Sequence, residues 1–188
     1  YAVFVTREIA GATVASVGFA ITMYWIAKSV IQLFIARAID RNHGEIDDFY
    51  VMIAGGALNA LLVALYYFAT NIIHVYLLQI LIGAADALII PPFYAIFTRH
   101  IDKGKEAFEW ALFSSFSIGA GSAFGAVVGG VLGSALGFRA VFPMVGILTF
   151  VATVMLMFLK PYILPKIPQA APRIFIPTPP PKIPYGSP

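Results

Sequence analysis

The sequence has no cysteine, which excludes disulfides, thiolate metal sites and a cysteine nucleophile. Charge is scarce as well: Asp, Glu, Lys and Arg make up 11% of the residues, against about 25% in soluble domains. No Gly-x-x-x-x-Gly-Lys-Ser/Thr phosphate loop occurs, so the chain does not hydrolyse nucleotide by itself. Uphill movement of a solute therefore needs an ion gradient or another subunit. His43, His74 and His100 stand at loop edges without ligand spacing, so neither a metal site nor a cofactor is expected. Ser114, Ser115 and Ser117 have no His and Asp partners nearby in sequence, and helix–helix hydrogen bonding is their default role. No constellation of acid, base and nucleophile is left, and an enzyme is not expected. The net charge of +3 and pI near 9.2 do not point to nucleic acid, because the basic residues are dispersed between apolar runs.

What is present is apolar length. Hydrophobic residues form 60% of the chain and the mean hydropathy is +0.88, more apolar surface than a soluble fold can bury. Tyr1 to Val5 meets Thr6-Arg7-Glu8 and looks like the end of a helix that begins upstream; Ala10-Gly11-Ala12-Thr13 then turns the chain. Val14 to Ala36 carries one charge, Lys28, and at 1.5 Å per residue is long enough for a hydrocarbon core of about 30 Å. After a charged loop, Arg37 to Asp48, the next runs are Phe49 to Ala69 and Val75 to Thr98, separated by the polar turn Thr70 to His74. Pro91-Pro92 removes two backbone donors from the third run and should kink it. A second charged loop, Arg99 to Glu109, precedes a helix from about Trp110 to Leu136, a turn at Gly137-Phe138-Arg139 and a last crossing, Ala140 to Leu159. The expected fold is all-α: a polytopic membrane helix bundle of five complete transmembrane helices and a remnant of a sixth, over residues 1–160. Residues 161–188 are rich in proline and basic residues, cannot continue a helix, and read as an extended or disordered tail.

Loop charge sets the orientation. One side receives Arg37, Arg41, Arg99, Lys103 and Lys105 with the tail residues Lys160, Lys166, Arg173 and Lys182; the other receives Arg7 and Arg139. The first side, tail included, is expected in the cytoplasm of a protein in the cell membrane.

Gly121, Gly125, Gly129, Gly133 and Gly137 recur every fourth residue, with Gly130 beside the middle one, and draw a bare stripe along one helix face. The expectation is close packing, and with it gating, along Gly121, Gly125, Gly129, Gly130 and Gly133. Leucine at Gly125 or Gly129 should then disrupt assembly or gating far more than leucine at Gly55.

Two formal charges lie deep in the apolar runs. Tyr24 and Gln32 share the face of Lys28 at four-residue spacing, and Gln79 and Gly83 share the face of Asp86. Charges at that depth cost several kcal/mol unless paired, so they mark either a functional cavity or a structural ion pair. Counted from the charged loops, their Cα depths differ by roughly 6 Å, which a lysine side chain bridges. Tyr24, Lys28, Gln32, Gln79 and Asp86 are the candidate cavity residues for substrate or ion.

The order of these segments resembles one six-helix half of a major facilitator superfamily transporter with its first helix truncated. The resemblance rests on Ala36-Arg37-Ala38-Ile39-Asp40-Arg41 after the second helix, Gln79-Ile80-Leu81-Ile82-Gly83 in the fourth, Gly121-Ser122-Ala123-Phe124-Gly125-Ala126-Val127-Val128-Gly129-Gly130 in the fifth, and Gly137-Phe138-Arg139-Ala140-Val141-Phe142. The family's Gly-x-x-x-Asp-Arg loop, thought to latch the cytoplasmic gate, matches Asp40 and Arg41. Ala36 stands at its glycine, and Glu45, Asp47 and Asp48 replace its basic tail. Gln79 occupies the place of an arginine linked to proton coupling, which shifts that role toward Asp86. The fifth-helix run is similar to the antiporter motif, with Ala126 at its proline.

The resemblance implies a secondary transporter that moves a small solute by alternating access, with a proton as candidate coupling ion. Membrane lipid surrounds it, and its partner is a second six-helix half or, for a half-size member, a second copy of itself. A non-transporting assembly subunit that keeps the fold is the alternative.

Overall fold

The computed structural model describes residues 1–42 and 45–163. His43, Gly44 and most of the proline-rich segment expected over 161–188 lie outside the described residues. Seven α-helices make up the described chain: α1 (Ala2–Glu8), α2 (Val14–Asn42), α3 (Glu45–Ala64), α4 (Ile72–His100), α5 (Glu106–Phe113), α6 (Gly121–Leu136) and α7 (Phe138–Leu156). A 3₁₀ turn extends α3 through Phe68 and another extends α7 through Tyr162. A π-helical stretch, Ser114–Ala120, joins α5 to α6. Five stretches are long and apolar enough to cross a membrane: Val14–Arg41, Glu45–Phe68, Ile72–His100, Glu106–Leu136 and Phe138–Tyr162. With α1 as the remnant, this is the all-α bundle expected from the sequence, and α4 runs through Pro91 and Pro92 without interruption.

Local chemistry places the helix starts. Gly11, at φ +72°, turns the chain after α1. Thr13 and Ser16 then cap each other: the Thr13 amide donates to Ser16 Oγ at 3.1 Å and the Ser16 amide to Thr13 Oγ1 at 3.3 Å. Asn71 caps α4 by accepting from the His74 amide at 3.0 Å. Gly137, at φ +86°, reverses the chain between α6 and α7. At that end of the bundle Phe4, Val5, Ile9, Val17, Leu62, Tyr66, Val75 and Leu78 form the apolar core. Arg139 ties it off, reaching Glu8 Oε2 at 3.2 Å and the Tyr67 carbonyl at 2.9 Å.

Helix α2 packs along α4, and α3 sits between α4 and α7. Glycine decides both contacts. A Cβ on Gly83 would stand 2.5 Å from the Tyr24 carbonyl oxygen, so α2 and α4 touch backbone to backbone. On α3, Gly55 faces α4, where a Cβ would meet Leu88 Cβ at 2.8 Å, and Gly56 faces α7, where it would meet Thr153 Oγ1 at 2.6 Å. Consecutive residues point about 100° apart on a helix, and this pair therefore opens two faces of α3 at one level.

The glycine repeat of α6 behaves otherwise. An added Cβ at Gly125, Gly129 or Gly130 meets nothing within 4 Å, and at Gly121 only the Phe116 carbonyl of the preceding turn, at 3.6 Å. Gly133 alone of the five meets another element, Phe138 at 2.5 Å. Within the chain, Gly55 is therefore tight and Gly125 and Gly129 are open. The physical reason is position, because α6 lies at the margin of the bundle and rests lightly on α7. Its glycines border a cavity of about 410 Å³ shared with Tyr1, Phe4, Val63 and Phe142. The π-helical stretch separates this face from α5, whose Trp110 and Phe113 stack on Phe97 and Phe93 of α4 at 4.8 and 5.0 Å between ring centroids.

Candidate functional site

The site is built where three helices pass one level. Lys28 is fourteen residues from each end of α2, and Asp86 is fourteen residues from each end of α4. At 1.5 Å per residue both lie about 21 Å from either helix end, the middle of anything these helices cross. The 6 Å difference in depth expected from the sequence disappears, because α2 continues past Ala36 to Asn42. Gly83 makes the meeting possible, letting α4 approach α2 between Tyr24 and Lys28.

Asp86 is the hub. The Tyr24 hydroxyl donates to Asp86 Oδ2, and Asn59 Nδ2 on α3 donates to Asp86 Oδ1 at 2.7 Å. Lys28 Nζ donates to Tyr24 Oη at 3.0 Å and lies 3.6 Å from Asp86 Oδ2. The ammonium also stands 5.1 Å from the Trp25 ring centroid and 5.3 Å from that of Tyr24, within cation–π range. Side-chain exposure is 13% for Lys28 and 23% for Asp86, so both are largely withdrawn from the surface. A lone charge at mid-membrane costs about 2.5–3.5 kcal/mol even on lenient scales. Here each charge is offset by the other, Asp86 also by two neutral donors and Lys28 by the acceptor Tyr24 Oη.

Of the five cavity candidates, the structure brings Tyr24, Lys28 and Asp86 into contact. Gln32 and Gln79 fall outside the network: Gln32 is half-buried one turn from Lys28, and Gln79, half-buried two turns from Asp86, lies beside the Tyr1 phenol. Asn59 is the member that the sequence did not single out. Its signal is the four-residue spacing from Gly55, which puts a polar side chain on the bare face that α3 turns to α4.

At the charged-loop end, Asp40 and Arg41 are exposed, and no ion pair of either is found among the described residues. The ionic contacts there join α3 to α4 instead. Arg99 Nη1 is 3.0 Å from Asp48 Oδ2 and 3.9 Å from Glu45 Oε1, and His100 Nε2 is 3.9 Å from Glu45 Oε2. Asp48 is 1% exposed. Two of the acidic residues that replace the expected basic tail of the loop motif, Glu45 and Asp48, thus have basic partners at the end of α4. Among the described residues no group of His, Asp or Glu has the arrangement to hold a metal ion.

Comparison with known sequences supplies the family. The sequence model of the Major Facilitator Superfamily matches residues 2–186. The chain belongs to that superfamily. Among curated relatives, the proton-coupled antiporter flippase LtaA of Staphylococcus saprophyticus subsp. saprophyticus is 27% identical over 118 residues. The alignment covers 63% of this chain and 29% of that protein, so the chain spans less than a third of its relative's length. No solved structure matches. As a superfamily member with five apolar crossings, the chain is a multi-pass membrane protein of a transporter family rather than of an enzyme family.

Proposed function

We propose that this chain is a six-helix half of a secondary transporter, which moves a small solute by alternating access and draws its energy from an ion gradient. The observation that carries the reading is the contact of Lys28, Tyr24, Asp86 and Asn59 at one depth across α2, α4 and α3. Such a network is costly where it stands and is compensated chiefly by its own members. A proton on Asp86 removes the charge that holds Lys28 and an acceptor that holds Tyr24, so α2 and α4 become free to shift together. Likeness to a proton-coupled antiporter flippase supports the proton as coupling ion.

The second half is another six-helix unit or a second copy of this chain. Its place is along α6, where Phe124, Val127 and Val131 are exposed on one side and the glycine stripe on the other meets little of the chain itself. Asp40 and Arg41, exposed at the end of α2, latch the gate against that second half. The bias of Lys and Arg toward the end bearing Arg37, Arg99 and Lys105 supports a cytoplasmic position for that end of a cell-membrane protein.

Purified protein in liposomes under an imposed proton gradient tests the reading against a broad solute panel. Uptake of at least one solute is expected, reduced about tenfold or more by Asp86→Asn. No uptake across the panel, combined with no effect of Asp86→Asn on any property, would leave the non-transporting assembly subunit as the better reading.

A further inference from the structure

The donors and acceptors of the central network do not balance, and the imbalance points to the chemistry of the solute. Both carboxylate oxygens of Asp86 are occupied by neutral donors, Tyr24 on Oδ2 and Asn59 on Oδ1. The Lys28 ammonium has three N–H groups and, among the described residues, one hydrogen-bond acceptor, Tyr24 Oη at 3.0 Å, while Asp86 stands off at 3.6 Å, in ion-pair range but beyond hydrogen-bond length. Lysine is thus the under-satisfied member of the pair. Two of its donors are unspent at the middle of an apolar span, where an unmade hydrogen bond to a charged group is expensive. Its surroundings are asymmetric too: the rings of Tyr24 and Trp25 flank it, and Trp25 is 55% exposed, a flat apolar wall that opens outward from the ammonium.

We infer that Lys28 is the docking point for an anionic group of the solute, a phosphate or carboxylate, with Trp25 as the apolar wall beside it. This rests on the transporter reading above and names the solute class for the same site. The bound anion takes the two free donors without displacing Tyr24 or Asn59 from Asp86. Asp86 then sets affinity by repulsion: charged, it opposes the anion; neutral, it admits it. Anion and proton would therefore enter the site together.

Binding is measured without any gradient, so that it does not depend on transport. Trp110→Phe leaves Trp25 as the tryptophan of this chain, about 5 Å from Lys28 Nζ and a direct reporter. The probes are inorganic phosphate, octyl phosphate, neutral octyl glucoside and cationic octyltrimethylammonium. A saturable change in Trp25 fluorescence is expected with one or both phosphates and with neither of the other two. Response to inorganic phosphate marks a free anion as the ligand source, and response confined to octyl phosphate marks an amphiphile headgroup. Affinity should fall about tenfold or more in Lys28→Gln, recover in Lys28→Arg, and rise several-fold in Asp86→Asn, which removes the repelling charge without needing Lys28 altered. Absence of a saturable response to both phosphates, equal affinity in Lys28→Gln, or weaker binding in Asp86→Asn overturns the assignment. Anion binding without gradient-driven uptake keeps this site and removes the transporter reading; uptake indifferent to Lys28→Gln does the opposite.

Discussion

Gly83→Ala adds one methyl group where α2 and α4 touch. Its Cβ would stand 2.5 Å from the Tyr24 carbonyl oxygen and 3.2 Å from the Lys28 amide nitrogen, both backbone atoms with no rotamer to escape into. Ordinary contact begins near 3.4 Å, so the helices must part by about 0.9 Å at this level. Overpacking costs about 1–3 kcal/mol, whereas alanine gains up to about 1 kcal/mol over glycine in helix propensity, and the net loss of stability is about 0–2 kcal/mol. The network fares worse than the fold. Carried through to the side chains, the same displacement opens the Lys28–Asp86 separation from 3.6 Å to about 4.5 Å and stretches the Tyr24–Asp86 hydrogen bond. Misplacement by about 1 Å at a reacting centre costs up to about a hundredfold in rate, so uptake should drop far more than thermal stability. The assay pairs a melting curve in detergent with uptake into liposomes. Gly18→Ala on α2, the partner helix, is the control, since its Cβ meets nothing within 4 Å. Wild-type uptake by Gly83→Ala would refute the argument that close approach of α2 and α4 sets the site.

Three further outcomes follow from the contacts. Asn59→Leu leaves Asp86 Oδ1 without its donor and should cost about 1–3 kcal/mol in thermal stability, with Asn59→Gln recovering part of it. Arg99→Ala strips the partner from buried Asp48 and should destabilise by at least about 1–3 kcal/mol in chemical denaturation, while the double variant Arg99→Ala with Asp48→Ala recovers much of the loss. Gly55→Leu should lower the melting temperature of the chain itself, whereas Gly129→Leu should leave it unchanged and weaken association with a second half, read by crosslinking in the membrane.

The spans were legible because a bilayer allows few solutions: an apolar run of about 20 residues has to be a helix. The family was legible in the order of short motifs, each weak alone. Lys28, Tyr24 and Asp86 stood out because deep charge is rare and helical spacing places Tyr24 beside Lys28. Asn59 did not, since a neutral amide in the run Phe49 to Ala69 has no conspicuous cost until α4 is seen to bring Asp86 to it. What the glycines meet was not legible for a related reason. A period of four shows that a face is bare but not what fills it, and the bare face of α6 borders a cavity while the inconspicuous Gly55-Gly56 pair holds α3 between two helices. Asp48 and Arg99, 51 residues apart, were read as loop charges; their pairing depends on α3 and α4 ending side by side.

The central claim is that Asp86 couples the solute to the gradient through Lys28 and Tyr24, and one paired measurement tests it. Solute exchange at equilibrium and gradient-driven uptake are recorded in the same liposomes for wild type and Asp86→Asn. The account predicts that Asp86→Asn keeps exchange and loses gradient-driven accumulation, because the neutral side chain fixes the site in its uncoupled form. Accumulation at the wild-type level in Asp86→Asn would contradict it.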